Sequence, residues 1–358
     1  MKRMDLYLAR AVVVNVLLVL FVLTMLAAII NFVSEIHVTY THEHYSLWDA
    51  ALYTVMEMPQ GMYDMFTVAV LLGALLGLGE LASHNELTVF RAAGVSAARL
   101  GIAALCGGLV LAVSCVVIGE FVAPVAEQRA EDRRAELVES RVNPLGAGGV
   151  WAKDQGDYVN VHAVGAKNVL HGVYIYDVDA QRQLSSATFA GAGSFNGAGG
   201  ATLANVHGTS FKPDAQGASV FNRPKLPWKT LLSPELITLF AVDTDSLSAR
   251  GLYHYIGYMR ANHLDDRRYV AAFWARAAKP VALLAMLLLA MPFVFGPLRS
   301  SSTGQRMLIG MLLGIGFYVF NGIFMQAGIV FGLNPFLCAW LPTLLLAVTG
   351  IVAVRRVK

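Results

Sequence analysis

Three cations in this sequence stand where a charge is costly. Arg134, Arg276 and Lys279 each lie just beyond a long apolar run or at the start of one. Ionisable groups in such places usually face a bundle interior or a cavity, and a guanidinium there suits forked contact with a phosphate. Plainer readings stand beside that one. Arg276 and Lys279 can snorkel their charged heads toward water. Arg129 and Arg133 are interleaved with Glu127, Glu131, Asp132 and Glu136, the pattern of a solvated helix extension. Arg267 and Arg268 read as linker charges, and Asp64 fits either a functional charge or an interfacial position.

A second constellation is the stretch GELASHNELTVFRAAGVSAARL, residues 79–100, set between the apolar runs Val68–Leu78 and Ile102–Ile118. Leu87, Phe90 and Arg91 fall at helical spacing, with Glu86 at the acidic start and Arg91 at the basic end, which predicts a short amphipathic helix over 83–94. Ser83 with Glu86 three residues on predicts a capping box, and Gly94 suits the position after the last turn. Such a helix either lies on lipid headgroups as an interfacial turn, or acts as a rigid knob that fits a partner's groove and transmits its movement.

Other chemistry is weakly signalled. His42 and His44 in HEH lack a third ligand and read as solvent loop, so no metal site is expected. Cys106, Cys115 and Cys338 lie inside apolar runs without ligand spacing and read as packing residues. The sequence holds neither a Ser/His/Asp nucleophile signature nor a G-x-x-x-x-G-K-[ST] phosphate cradle, so no catalytic residue and no cofactor of its own is expected. Gly73/Gly77 and Gly310/Gly314 match the GxxxG spacing of closely packed membrane helices.

The elements that must position these residues follow from composition. Of 358 residues, 56% are hydrophobic and only 14% charged, against about a quarter charged in soluble domains. The net charge of +3 implies no nucleic-acid partner. Six runs approach or exceed the roughly 20 residues that cross a bilayer core: Ala11–Val33, Gly61–Leu81, Leu100–Val122, Val281–Leu298, Met307–Val330 and Leu337–Val354. The first is longer than a signal-peptide core, and no small-residue cleavage site follows it, so it reads as a retained span.

Lys2, Arg3, Arg10, Arg91, Arg99, Arg299, Arg306, Arg355, Arg356 and Lys358 fall on one side of these spans, whereas Ser34–Gln60 has no Lys or Arg. The positive-inside rule then places both termini and the 83–94 helix in the cytoplasm. Residues 126–268 lie on the opposite side. Their short runs DYVNVHAV, GVYIYDV, QLSSATFAGAGSF and ATLANVHGTSF, separated by turns, predict strands of a β-sandwich or jelly roll. The segment from SPELITLF onward reads as a return that ends in an amphipathic helix. The expected fold is thus membrane α-helical, with six transmembrane helices and an inserted β-jellyroll-like domain. Its parts are 1–125 (spans one to three), 126–268 (the inserted domain) and 269–358 (spans four to six).

Several local strings resemble one family. MDLYLAR (4–10) matches its LDxYxxR start, and GALLGLGELASHNELTVFRAAGVS (73–96) its LGxLxxxSELxxMxAxG stretch. GEFVAP (119–124), VWAKD (150–154) and FGPLRS (295–300) extend the match over nearly the whole chain. Together they resemble the LptF/LptG permeases of the lipopolysaccharide exporter, the last two strings favouring the LptG branch. Asn85 and Phe90 stand where that family often has Ser and Met, and Asn31 where it often has a lysine.

The resemblance implies a subunit of an ABC exporter in the bacterial inner membrane, with the inserted domain periplasmic. It pairs with LptF, an LptB dimer binds and hydrolyses the ATP, and substrate passes to LptC and LptA. Glu86, Leu87, Phe90 and Arg91 become the ATPase-coupling helix. Arg134, Arg276 and Lys279 become candidates for lipopolysaccharide phosphates, and Phe66, Val70, Phe317, Phe320 and Phe324 for its acyl chains. An LptF-like paralogue, an envelope-lipid enzyme and a membrane scaffold are the alternatives.

Overall fold

The computed structural model describes residues 2–356 except 42–44, 139–142, 145–148, 155–156, 166–168, 180–182, 196–199, 212–216, 231–246 and 296–302. The HEH triplet and nearly all of FGPLRS lie outside the described residues, as does most of the return segment before Leu247.

Among the described residues, six helices are long and apolar enough to cross a membrane. The first, α1 (Lys2–Thr41), has 40 residues, about 60 Å at 1.5 Å per residue and roughly twice a bilayer's hydrocarbon core. It exceeds the expected span because neither Pro nor Gly interrupts it at either end. Next, α2 (Leu47–Ser83) begins well before its apolar part. Ser46 and Asp49 form a reciprocal capping box there, so much of the acidic stretch expected as loop is helix.

A sharp corner leads to α3 (Glu86–Ala92), followed by α4 (Ala97–Val117), a π-helical turn (Ile118–Val122) and α5 (Ala123–Val138). After the sheet come α6 (Ala249–Ala261), α7 (Arg267–Phe295), α8 (Thr303–Val330) and α9 (Pro335–Arg356).

Packing places α2 at the centre, against α1, α7 and α8, while α1 also contacts α4. Both GxxxG pairs work at α2. A Cβ at Gly73 would collide with the Val16 backbone, and one at Gly77 would lie 2.8 Å from the Ala11 carbonyl oxygen, so α1 rests directly on α2. Gly310 and Gly314 on α8 receive Leu72, Leu75 and Val68 of α2 in the same way. Small residues at such contacts let helix backbones approach where lipid offers no hydrophobic driving force.

The π turn has a covalent cause. Pro124 has no N–H to donate, and the Ala123 N–H bonds back to the Ile118 oxygen, five residues away. The Gly119 carbonyl is released and accepts Arg276 Nη1 at 2.9 Å. Gly119 is also required here, because any Cβ would strike the Tyr63 ring.

Among the described residues, the inserted domain is a seven-stranded antiparallel sheet. Its strands are β1 (Asn143–Pro144), β2 (Val150–Asp154), β3 (Asp157–Gly165), β4 (Val169–Val178), β5 (Leu184–Phe195), β6 (Gly200–Phe211) and β7 (Ala218–Lys229). The order is β1-β3-β4-β5-β6-β7, with β2 also paired to β3, so the longer strands join neighbour to neighbour.

Strict alternation along a strand puts every second residue on one face. Yet Leu170 and Val173, and likewise Leu203 and Val206, reach one core. Gly172 at φ +63° and Asn205 at φ +55° lie between those pairs and reverse the face, each at a residue type that tolerates the left-handed region. The sheet thereby keeps apolar residues of both phases on a shared core, which Tyr258 of α6 closes.

Candidate functional site

The first candidate region is the corner around α3. Asn85 takes φ +62° and links α2 to α3 without a side-chain cap. The capping box expected at Ser83 does not form: Ser83 is still the last residue of α2, and its hydroxyl donates to the Glu80 carbonyl at 2.8 Å. Gly94, at φ +86°, follows the last turn as expected.

Leu87 is 3% exposed and Phe90 packs partly onto the same core. The apolar stripe read from the spacing therefore seats the helix on its own chain, and these two residues are anchors rather than a contact surface. What α3 presents outward is Thr88, Val89 and Arg91, with Val89 65% exposed.

Two side chains of α1 reach this corner. Tyr7 donates its hydroxyl to Glu86 Oε2 at 2.9 Å. Arg99, in the first turn of α4, donates to Asp5 Oδ2 at 2.6 Å. Sequence reasoning missed both ties, although MDLYLAR carried a signal: an acid and a phenol two residues apart, within one turn of a helix.

The second region lies at the other end of α1. Glu35 Oε1 accepts from Arg134 Nε at 2.7 Å and from the Tyr45 hydroxyl at 3.0 Å. Burial and that hydrogen bond to Glu35 push the Tyr45 phenol well above its ordinary range. Arg134 lies over the Tyr53 ring, 5.4 Å from its centroid, and Tyr53 donates to Glu131 at 2.6 Å. Asn31 donates to Glu57 at 3.4 Å nearby.

Arg276 and Lys279 are apart from that cluster. Arg276 holds the Gly119 carbonyl and lies 5.2 Å from the Tyr63 centroid. Lys279 Nζ is 3.3 Å from the same centroid and 3.5 Å from Asp64 Oδ1. The pair thus joins α7 to α2 and to the π turn. A cavity of about 240 Å³ opens beside them, lined by Cys115, Val116, Glu120 and Phe273 among others. Glu120 accepts from the backbone N–H groups of Ala249 and Arg250 at 2.8 and 3.0 Å, capping α6. At the far end of α6, Tyr258 donates to the Lys153 carbonyl at 2.8 Å. The helix is a strut between the π turn and β2.

The apolar candidates divide. Phe66 and Val70 are fully buried in the chain's own core, because α2 is the central helix, so neither lines an open cavity. Phe317 is half-buried. Phe320 is exposed and pairs with Phe324 at 5.8 Å on α8.

Comparison with known proteins fits this architecture. A family model described as "Lipopolysaccharide export system permease LptF/LptG" matches residues 6–356. The chain belongs to this family. It is a multi-pass membrane protein, and the family is a transport component rather than an enzyme. The chain is similar to the lipopolysaccharide export system permease protein LptG of Haemophilus influenzae, with 35% identity over 96% of each chain. It is also similar to the protein of that name from Escherichia coli K12, with 31% identity over 95% of this chain and 94% of the other.

Proposed function

We propose that this chain is an LptG-type permease subunit that helps extract lipopolysaccharide from the outer leaflet of the bacterial inner membrane. In this reading it pairs with LptF around a shared cavity, an LptB dimer below supplies ATP hydrolysis, and the inserted sheet passes substrate to LptC and LptA. The near-full-length similarity to two proteins named LptG carries the reading. The chain itself carries no phosphate cradle, in keeping with that division of labour.

Both termini and α3 are placed in the cytoplasm and the sheet in the periplasm. The support is the absence of Lys and Arg from 34–60 against the cations flanking α1, α4 and α9. In the proposed coupling step, the outward face of α3 fits a groove on LptB while Leu87 and Phe90 hold the helix to the bundle. Closure of the LptB dimer on ATP then drives α3 as a rigid body.

Arg134, Arg276 and Lys279 remain the cations offered to the lipid phosphates. Arg134 comes first because its side chain stays 34% exposed beside its partner, against 19% for Lys279. Phe317, Phe320 and Phe324 on α8 are offered to acyl chains.

The test is co-purification and transport with Val89→Asp and Glu86→Lys variants. Both are expected to weaken association with LptB or to separate ATP hydrolysis from lipopolysaccharide transfer. Normal yield of the complex together with normal transfer in both variants would overturn the coupling role. Thiol labelling checks the orientation: a cysteine at position 89 should resist an impermeant reagent applied from the periplasmic side.

A further inference from the structure

We propose that α1 is the rod through which movement of α3 reaches the anion site, with Tyr7 and Asp5 as positioning residues that strap it to both flanks of the corner. The inference rests on the coupling role proposed for α3 and adds a path from that helix to Arg134.

The two contacts come from one turn of α1 but end on different elements. Tyr7 reaches Glu86, the first residue of α3, and Asp5 reaches Arg99 in the first turn of α4. The corner is therefore held on either side of α3 by a helix remote in sequence. The Asp5–Arg99 contact is single-pronged. Among the described residues, Asp5 Oδ1 and Arg99 Nε are both buried with no hydrogen-bond partner. A guanidinium and a carboxylate can close a second, parallel contact through atoms of that kind, so the pair has an arm in reserve when α4 and α1 shift.

Beyond the strap, α1 continues without Pro or Gly to Thr41. Its backbone lies directly against α2 at Gly73 and Gly77, and against α4 at Gly107, where a Cβ would come within 2.8 Å of the Ala9 carbonyl oxygen. Such contacts leave no compressible side-chain layer to absorb a displacement. At the far end of the same helix is Glu35, the carboxylate that occupies Arg134. From Tyr7 to Glu35 is 28 residues, about 42 Å at 1.5 Å per residue. A push on α3 that slides or rotates α1 then changes how Glu35 meets Arg134, and so how strongly Arg134 can hold a phosphate.

The experiment uses the assembled exporter in nanodiscs. Spin labels at Leu6 on α1 and Ala92 on α3, both exposed, report the distance across the strap with and without ATP. In the unaltered protein this distance should stay single and narrow in both states, because the two helices move together. With Tyr7→Phe plus Asp5→Asn it should broaden on ATP addition, while lipopolysaccharide transfer per ATP hydrolysed falls several-fold and ATP hydrolysis persists. The exchange Asp5→Arg with Arg99→Asp should recover transfer, which a general folding defect would not allow. Unchanged distance and unchanged transfer in the double variant would overturn the strap. If Val89→Asp, which leaves both strap contacts in place, uncouples transport but Tyr7→Phe plus Asp5→Asn does not, the coupling role stands and the rod fails. If none of the four substitutions affects coupling, both fall.

Discussion

Glu35 Oε1 lies 2.7 Å from Arg134 Nε, with the Glu35 residue only 7% exposed. The cation proposed first for a lipid phosphate is thus already answered by an internal anion. A phosphate must compete with that carboxylate, so replacing it by its neutral isostere should favour the substrate. Glu35→Gln is expected to raise lipopolysaccharide affinity, and Arg134→Glu to lower it. A charge-assisted hydrogen bond contributes about 1.5–3 kcal/mol, so a change of about tenfold or more is expected at roughly 1.4 kcal/mol per decade. Equilibrium binding to the assembled complex at matched salt checks both. Weaker binding by Glu35→Gln would mean that Glu35 orients Arg134 rather than competing for it.

Glycine positions on α2 separate packing from propensity. Gly73 has the Val16 backbone where a Cβ would go, whereas a Cβ on Gly61 would meet no other element within 4 Å among the described residues. Gly73→Ala should lower thermal stability by about 1–3 kcal/mol through overpacking. Gly61→Ala should be neutral or raise it by up to about 1 kcal/mol, since it removes a flexible residue from a helix interior. Equal losses at both sites would contradict the close approach of α1 to α2.

The Glu120 carboxylate joins the π turn to α6 through two backbone hydrogen bonds. Glu120→Ala should loosen the first turn of α6 by about 1–2 kcal/mol, the usual range for a lost helix cap. Hydrogen exchange of the Ala249–Leu252 amides in the whole chain reads this directly. Unaltered protection there would show that Ser248, which also accepts from Gly251 at 3.0 Å, holds the turn alone.

Sheet stability should depend on pH through Asp157. Burial first, then the neighbouring Asp177 and Asp154, push its carboxyl up to about 6, above an aspartate's ordinary value of about 4. The folded sheet therefore takes up a proton before the unfolded chain does as pH falls. Its contribution to stability rises as pH drops through about 6 and levels off below about 4. Protection of β3 and β4 amides, corrected for intrinsic exchange, should increase between about pH 7.5 and about pH 5. Asp157→Asn should remove most of that difference and raise protection at the higher pH.

The spans were legible because twenty apolar residues have few other uses, and the inserted sheet because its short strand-like runs are separated by turns. The helix ends were less so. Ser83–Glu86 and Ser46–Asp49 both have the spacing of a capping box, and only the second forms, because α2 runs unbroken to Ser83. The stripe Leu87/Phe90 showed that α3 is amphipathic but not which partner its apolar face takes. It takes the chain's own core, which leaves Val89 and Arg91 as side chains exposed for the proposed contact. Arg134, Arg276 and Lys279 were equivalent as cations beside apolar runs. Their partners Glu35, the Gly119 carbonyl, and Asp64 with Tyr63 lie 99, 157, and 215 or 216 residues away, distances over which a linear pattern carries no pairing signal.

In the proposed function this chain is the permease through which a partner's ATP hydrolysis moves lipopolysaccharide. Proteoliposomes containing the chain with LptF, LptB and LptC, loaded with lipopolysaccharide and supplied with soluble LptA carrying a photo-crosslinker, test it most directly. Lipopolysaccharide–LptA crosslinks should accumulate over time with ATP, remain at background without it, and fall to background when Val89→Asp is introduced. ATP-independent accumulation, or full ATP-driven accumulation when this chain is omitted, would contradict the account.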